Sequence, residues 1–145
     1  MGTPIATEGE IAGNGGPLQA KQRRCKPLIY VAGTLTSGGS LPATEIEKNV
    51  ARAARVYGDL VSLGFACILP HTSWYLESLH GMKLGYSGWM AQCLRLVEAC
   101  EAVYRISGPS KGADMECEHA ADHGIQVWFH APAMIAHFHD QGRLP

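Results

Sequence analysis

The sequence lacks any apolar run that approaches the roughly 18–20 residues needed to cross a bilayer. Its N-terminus also lacks the apolar core of a secretory signal peptide. Because of these two absences, we exclude membrane proteins from the classes that we consider. We therefore expect a soluble cytoplasmic protein that makes no membrane contact.

An excess of charge of either sign is missing too. Twelve Lys and Arg residues face thirteen Asp and Glu residues, which leaves a net charge of −1 with histidine neutral. A chain without a basic surplus is a poor partner for a polyanion, so we predict no nucleic-acid partner. Hydrophobic residues make up 46% of the chain, which is enough to bury a core.

Several signatures of metal and cofactor chemistry are absent. The five cysteines form no C-x-x-C pair, and three of them fall in apolar or helical stretches, which is typical of reduced cysteine used as a small hydrophobe. His119 and His123 have a zinc-compatible spacing, but no acidic partner of the metalloprotease type lies between them. No Walker-type phosphate loop and no G-x-S-x-G elbow occurs. We therefore predict no cofactor and no metal site.

The length of 145 residues suits one domain. Residues 1–24 are rich in Gly, Ala, Thr and Pro without periodicity, and we predict a flexible leader there. Residues 25–145 are predicted to form a single α/β domain.

Short apolar runs alternate with helical patterns through this domain. The apolar runs cover residues 27–33, 65–69, 102–106 and 125–129. Continuous apolar strands suit a parallel sheet that is buried on both faces. The predicted fold is a Rossmann-like (flavodoxin-like) α/β fold, with four to five parallel strands and helices on both faces. Ligands of such sheets bind beyond the carboxyl ends of the strands.

The helical patterns lie between these runs. Residues 44–47 match a capping box that begins at Thr44, and the helix that follows is predicted to end at Gly64. Residues 71–88 read as a long loop, and a second helix is marked from Trp89 onward. Residues 130–145 fit either a short helix or a last strand.

The most informative stretch opens a helix directly after the third strand. Free amides of a first helical turn favour an anion; Ser110 can cap that turn or donate to a phosphate, and Lys111 adds charge. Gly112 lets the backbone approach a ligand closely. Glu116 lies about one turn further on, where a carboxylate can attack a sugar anomeric carbon. The alternative is that Glu116 is one of several acids favoured near a helix start.

Three motifs together resemble the nucleoside 2-deoxyribosyltransferase superfamily, in its small phage and bacterial branch. They are Tyr30-Val31-Ala32-Gly33 on the first strand, Trp89-Met90 with Cys100-Glu101-Ala102-Val103-Tyr104, and Ser110-x-Gly112-Ala113-x-x-Glu116-x-x-x-Ala120 followed by Gly124-Ile125-x-Val127. The resemblance covers about residues 27–129. It implies cleavage of the N-glycosidic bond of a nucleotide or (deoxy)nucleoside, either by hydrolysis or by deoxyribosyl transfer.

The resemblance also implies roles for single residues. Glu116 is similar to the carboxylate that forms a covalent glycosyl intermediate, and Tyr30 to the tyrosine that positions it; Tyr30 also suits a core aromatic. Ser110 stands where related nucleotide N-glycoside hydrolases contact a 5′-phosphate. With Lys111 beside it, a nucleoside 5′-monophosphate is the expected ligand. Further substrate contacts are expected from Gly33, Gly112, Ala113, Trp89 and Cys93.

One position departs from the family pattern. Cys93 stands where the family has an aspartate that helps to protonate the leaving base. A thiol is a poorer general acid, so His71 is the expected substitute, unless it is a loop histidine without a task. If neither residue serves, the chain is a nucleotide-binding or sequestering module without turnover.

Aromatic residues of the long loop add a further expectation. Trp74, Tyr75, Tyr86 and Trp89 are suited to stack on a base, or to pack as a lid on the core or on a second subunit. By resemblance we expect a homo-oligomer.

Overall fold

A single parallel sheet organises the molecule. The computed structural model describes residues 25–36 and 41–145. Its sheet has four strands in the order β2-β1-β3-β4, all parallel. The strands are β1 (Leu28–Ala32), β2 (Ala66–Ile68), β3 (Ala102–Arg105) and β4 (Gln126–Trp128). The predicted Rossmann-like α/β fold is confirmed; the predicted leader, residues 1–24, lies outside the described residues.

Helices connect the strands and cover both faces of the sheet. They are α1 (Ala43–Ser62), a 3₁₀ turn (Pro70–Thr72), α2 (Ser73–Ser78), α3 (Gly85–Glu98), α4 (Lys111–Asp122) and α5 (Ala131–Asp140). Helices α1 and α5 contribute to the core on one face, and α3 and α4 to the core on the other. Within the described part of the chain, no helix is long and apolar enough to span a membrane.

The first strand occupies the centre of the fold. Its residues from Ile29 to Ala32 are fully buried, because side chains that alternate along a strand point into both cores. Ile29 and Val31 pack with α1 and α5, whereas Tyr30 and Ala32 pack with α3 and α4. This double burial explains why the run is apolar without alternation.

Strand order places a crevice beside β1. The chain moves from β1 to β2 on one side and returns to β3 on the other, so the connections after β1 and β3 diverge. Such a switch point opens a crevice at the carboxyl ends of the strands, where ligands bind in this class of sheet. Gly33, His71 and Ser110 all follow strands at this edge.

The predicted capping box at Thr44 is wrong. Helix α1 begins at Ala43 with Pro42 as its N-cap, and no side chain caps it. The amides of Glu45 and Ile46 bond to the carbonyl of Pro42, so Thr44 already lies inside the first turn. Glu47 instead accepts hydrogen bonds from two aromatic side chains of α2, Trp74 Nε1 and Tyr75 Oη. The predicted end of the helix is confirmed: α1 closes just before Gly64, whose φ is +107°.

The predicted long loop over residues 71–88 is also wrong. The 3₁₀ turn, α2 and the first turn of α3 occupy most of it, and α3 begins four residues before Trp89, at Gly85. Helix α2 has six residues, too short for periodicity to reveal, and it is held by the tertiary bonds of Trp74 and Tyr75 to α1.

Residues 130–145 form a helix rather than a strand. Met134 and Phe138 of α5 lie four residues apart and are buried on the same face. Phe138 packs edge-on against Phe65. This helix completes the core on the α1 side of the sheet.

Candidate active site

A cavity of about 270 Å³ opens at the carboxyl edge of the sheet, between the ends of β1 and β3 and helices α2 to α4. That volume lies near the lower end of the range for small-molecule sites. Eight of the ten predicted site residues line it: Gly33, His71, Trp89, Cys93, Ser110, Gly112, Ala113 and Glu116. The other two are Tyr30, fully buried in the sheet behind the cavity, and Lys111, which is exposed and does not line it.

Glu116 and Tyr30 meet at the wall of this cavity. Tyr30 Oη donates a hydrogen bond of 2.8 Å to Glu116 Oε1, across 86 residues of sequence. Only 6% of Glu116 is exposed. The bond exists because β1 presents Tyr30 to the face that α4 covers, and α4 turns Glu116 back over the same strand. The structure thus joins the two residues that the sequence analysis paired.

Burial determines the protonation of this pair. Removal from water raises the pKa of Glu116 to about 7, although hydrogen bonds from Tyr30 and Cys93 and the charge of Arg105 each lower it. Burial, together with the charge of Glu116, raises the pKa of Tyr30 far above its usual range. Tyr30 therefore keeps its proton and remains a hydrogen-bond donor to a carboxyl group that changes charge near neutral pH.

Cys93 is the third member of this group. Helix α3 buries it, with 9% exposed, next to Tyr30 and Glu116. Burial raises the pKa of its thiol to about 11, so it keeps its proton at neutral pH. Cys93 thus provides a neutral, weak hydrogen-bond donor at the position where the resemblance leads us to expect an aspartate.

Ser110 caps the helix that carries Glu116. Its Oγ accepts a bond of 3.2 Å from the amide of Ala113, and its carbonyl accepts one of 3.0 Å from the amide of Asp114. The amides of Lys111 and Gly112 precede the first intrahelical bond and have no partner within a helix. Together with the helix dipole they favour an anion at the cavity end of α4.

Arg105 does not line the cavity, but it supports the turn beside it and was missed by the sequence analysis. It ends β3 with 6% exposed and bonds to the carbonyls of Ile106 and Gly108 and to Asp114 Oδ1, at 3.0 Å. This buried cation holds the turn before α4 in place and lowers the pKa of Glu116. A charged residue at the end of an apolar strand was the signal available in the sequence.

Two further bonds fix the same turn from outside. Arg52 of α1 donates to the carbonyl of Ser107 at 2.7 Å, and Thr34 Oγ1 donates to the carbonyl of Pro109 at 2.8 Å. The turn that leads into α4 is thereby tied to β1, β3 and α1. A fixed turn keeps the amides of the helix start at a constant position relative to Glu116.

His71 has a different environment from the one expected of a proton donor. It is 2% exposed, and its Nε2 donates to the carbonyl of Thr34 at 3.1 Å. Burial lowers its pKa, so the neutral imidazole dominates at pH 7. Its buried Nδ1 has no partner among the described residues. Proton donation by His71 stays a prediction, and this environment argues against it.

Aromatic side chains also line the cavity. Trp74, Tyr86 and Trp89 line it together with Met90, and their stacking on a base stays a prediction. Tyr75 does not line the cavity; it bonds instead to Glu47 on α1. Trp89 Nε1 donates to Glu77, a lining carboxylate that the sequence analysis missed because α2 was read as a loop. The lining of the cavity thus combines aromatic side chains with the polar groups of Glu77, Ser110 and Glu116.

No model of a known protein family matches the chain, and no curated protein is significantly similar to it.

Proposed function

We propose that the protein cleaves the N-glycosidic bond of a nucleotide or (deoxy)nucleoside, with Glu116 as the nucleophile. The observation that carries this proposal is the pair of Glu116 and Tyr30, a buried carboxyl group with a fixed donor at the wall of a small cavity. A pre-positioned carboxylate in a largely dehydrated site stabilises an oxocarbenium-like sugar well.

The chemistry has two steps. A carboxylate oxygen of Glu116 bonds to the anomeric carbon while the bond from that carbon to the base nitrogen breaks, and its electron pair leaves with the base. The base takes a proton from solvent water as it departs, and a glycosyl ester of Glu116 remains. Water then attacks the anomeric carbon and loses a proton, the sugar leaves, and the Glu116 carboxylate is restored. A second base in place of water gives deoxyribosyl transfer.

The cavity walls suit the parts of a nucleoside 5′-monophosphate. The start of α4, with Ser110 and the amides of Lys111 and Gly112, suits the phosphate. Trp74, Tyr86 and Trp89 offer flat faces on which a base can stack. Glu116 lines the same cavity, and as the proposed nucleophile it must face the anomeric carbon, so we assign the sugar to it.

Base release is expected to depend on pH through Glu116. Only the carboxylate is a nucleophile, and the pKa of Glu116 is about 7. The rate should therefore rise as pH increases from about 6 to 8 and then level off.

A chromatographic assay tests the proposal. Purified protein is incubated with a panel of nucleosides and nucleoside 5′-monophosphates, and released free base is quantified beside Glu116→Gln and Glu118→Gln. Glu118 is an exposed acid on the same helix and serves as the matched control. We expect release by the wild type and the control, and a loss of about a thousandfold or more in Glu116→Gln. Release that survives in Glu116→Gln would contradict the assignment.

A binding module without turnover is the second candidate. It is favoured by the neutral Cys93 and by the lowered pKa of His71, which leave the departing base without an evident proton donor. Calorimetry would then show saturable binding of a nucleotide by a protein that releases no base from any member of the panel.

Self-association is the remaining part of the proposal. Leu79, Met82 and Leu84 connect α2 to α3 beside the cavity and are 70%, 46% and 39% exposed. Apolar side chains grouped on a surface favour a contact with a second copy. Light scattering should give a mass above that of one chain, and Leu79→Glu should lower it.

A further inference from the structure

A second group of titratable side chains lies away from the cavity. Glu98 ends α3, His119 lies in the last turn of α4, and His123 follows that helix as its C-cap. We call these three residues the helix-end cluster. One potential ligand atom from each residue lies within 4.8 Å of the others.

Both imidazoles of the cluster converge on the same carboxylate oxygen. His119 Nε2 lies 2.9 Å and His123 Nε2 lies 3.8 Å from Glu98 Oε1. The two rings are 4.2 Å apart, because residues four apart share one face of a helix. The sequence shows only the histidine spacing; the packing of α3 against α4 adds the carboxylate.

One histidine is already oriented as a metal ligand. His123 Nδ1 lies 2.8 Å from the carbonyl oxygen of His119, which can only accept, so Nδ1 carries the proton. In the neutral ring this leaves the lone pair on Nε2, the atom that faces Glu98. A backbone carbonyl that fixes the tautomer in this way is a common outer partner of metal-binding histidines.

We propose that the helix-end cluster binds a divalent transition metal, with Zn²⁺ as the physiological candidate. The ligands are Nε2 of His119, Nε2 of His123 and a carboxylate oxygen of Glu98, with water in the fourth position. Two imidazoles and one carboxylate form a known zinc ligand set, whereas Mg²⁺ and Ca²⁺ prefer oxygen ligands alone.

The distances suit a tetrahedral ion. Bonds of about 2.0–2.1 Å place neighbouring ligand atoms about 3.4 Å apart in a tetrahedron. The two separations between an imidazole nitrogen and Glu98 Oε1, 2.9 and 3.8 Å, bracket that value. Since the ligand atoms of all three residues lie within 4.8 Å of one another, side-chain rotations can bring them to it. The side chains of His119, Glu98 and His123 are 24%, 32% and 46% exposed, which leaves the ion a path from solvent.

A metal ion bound by the helix-end cluster would hold α3 and α4 together, and these two helices also line the cavity. His123 follows Glu116 by seven residues, about 10 Å along the helix axis, so the two sites are separate. Yet α3 carries Cys93 and α4 carries Glu116, and a metal would join the far ends of these two helices. The inference concerns a different site and does not depend on the proposed function.

Calorimetric titration of the full chain, first treated with a chelator, tests the proposal. We expect one Zn²⁺ per chain, with affinity at least tenfold lower in each of Glu98→Gln, His119→Asn and His123→Asn. His139→Asn, an exposed histidine of α5, is the matched control and should bind as the wild type does. Co²⁺ should give the visible absorption of a four- or five-coordinate ion, and that signal should vanish in the same three variants.

Thermal unfolding adds a second readout. Zn²⁺ should raise the unfolding temperature of the wild type and of Cys25→Ser, a control that removes an exposed thiol outside the cluster, but not of the cluster variants. Mg²⁺ should change none of these temperatures. Circular dichroism of each metal-free variant checks that it is folded. Three results would each overturn the proposal: absence of binding, binding that survives in the double variant His119→Asn/His123→Asn, or loss of binding in Cys25→Ser. In the first case the cluster is only a hydrogen-bonded contact between the two helices.

Discussion

The two ends of the α3–α4 helix pair each carry a glutamate, but in opposite surroundings. At the carboxyl edge of the sheet, Glu116 and Cys93 are 6% and 9% exposed. At the other end, the side chains of Glu98 and His119 are 32% and 24% exposed. Both ends therefore hold a glutamate that bridges the two helices, but only one of them is removed from water.

This difference shows how burial changes the pKa of a carboxyl group. Burial raises the pKa of Glu116 to about 7, whereas the hydrogen bond from His119 lowers the pKa of Glu98. The buried end thus holds a group that gains charge near neutral pH, as acid–base and nucleophilic chemistry requires. The exposed end holds a carboxylate that is charged throughout this range.

The largest expected effect comes from neutralising the buried carboxyl group. Folding raises the pKa of Glu116 from 4.5 to about 7. At pH values between these two, the folded protein therefore keeps a proton that the unfolded chain has lost. The contribution of Glu116 to stability is present below pH 4.5 and is lost as pH rises through 7. The shift corresponds to on the order of 3 kcal/mol.

The variant Glu116→Gln should not lose stability in this way, because its amide does not titrate. Urea unfolding from pH 4.5 to 8 should show the wild type becoming less stable relative to Glu116→Gln by about 3 kcal/mol. Glu118→Gln should follow the wild type at every pH. Parallel stability curves for wild type and Glu116→Gln would show that burial does not perturb this carboxyl group.

Removing the hydroxyl of Tyr30 should have the next largest effect. Tyr30→Phe deletes the bond that lowers the pKa of Glu116, so this pKa should rise further. Base release should fall about tenfold at pH 7, since a hydrogen bond to a charged group contributes about 1.5–3 kcal/mol. The pH–rate midpoint should move upward as well. Tyr104→Phe, on the other face of the sheet, is the control; an unshifted midpoint in Tyr30→Phe would assign Tyr30 to the core alone.

A smaller effect is expected at the start of α4. A Cβ on Gly112 would meet Met90 Sδ at 3.7 Å and Tyr86 Oη at 3.8 Å, which are ordinary contacts. Gly112→Ala should therefore raise the stability of the fold by about 0.5–1 kcal/mol through helix propensity. The added methyl group projects into the cavity wall and should raise KM for a 5′-monophosphate. Unchanged KM with raised stability would place the phosphate elsewhere.

The smallest effect is expected at the exposed end. Without metal, Glu98→Gln should leave the urea midpoint of unfolding close to that of the wild type, because an ion pair in contact with water adds little. With Zn²⁺ added, the midpoints should separate. A large loss of stability in metal-free Glu98→Gln would mean that the two ends of the helix pair differ less than their exposure indicates.

Sequence patterns alone were sufficient for the strands and for two helix ends, whereas the pair of Glu116 and Tyr30 was expected from the family resemblance. Apolar runs identify buried strands because a central parallel strand has no exposed face, and β1 is buried throughout. Gly64 and Ser110 mark helix ends through local backbone chemistry that needs no distant partner. These features depend on neighbours in the chain, so the sequence contains them directly.

The tertiary structure decided what depends on distant partners. Helix α2 exists through the bonds of Trp74 and Tyr75 to Glu47, and that carboxylate was therefore not available for a capping box. The burial of His71 and the three bonds of Arg105 follow from packing at the sheet edge. Glu98 joins His119 and His123 only because α3 and α4 lie side by side. Residue types and spacings set the chemistry that is possible, but burial and proximity, which select among those possibilities, arise only when the chain folds.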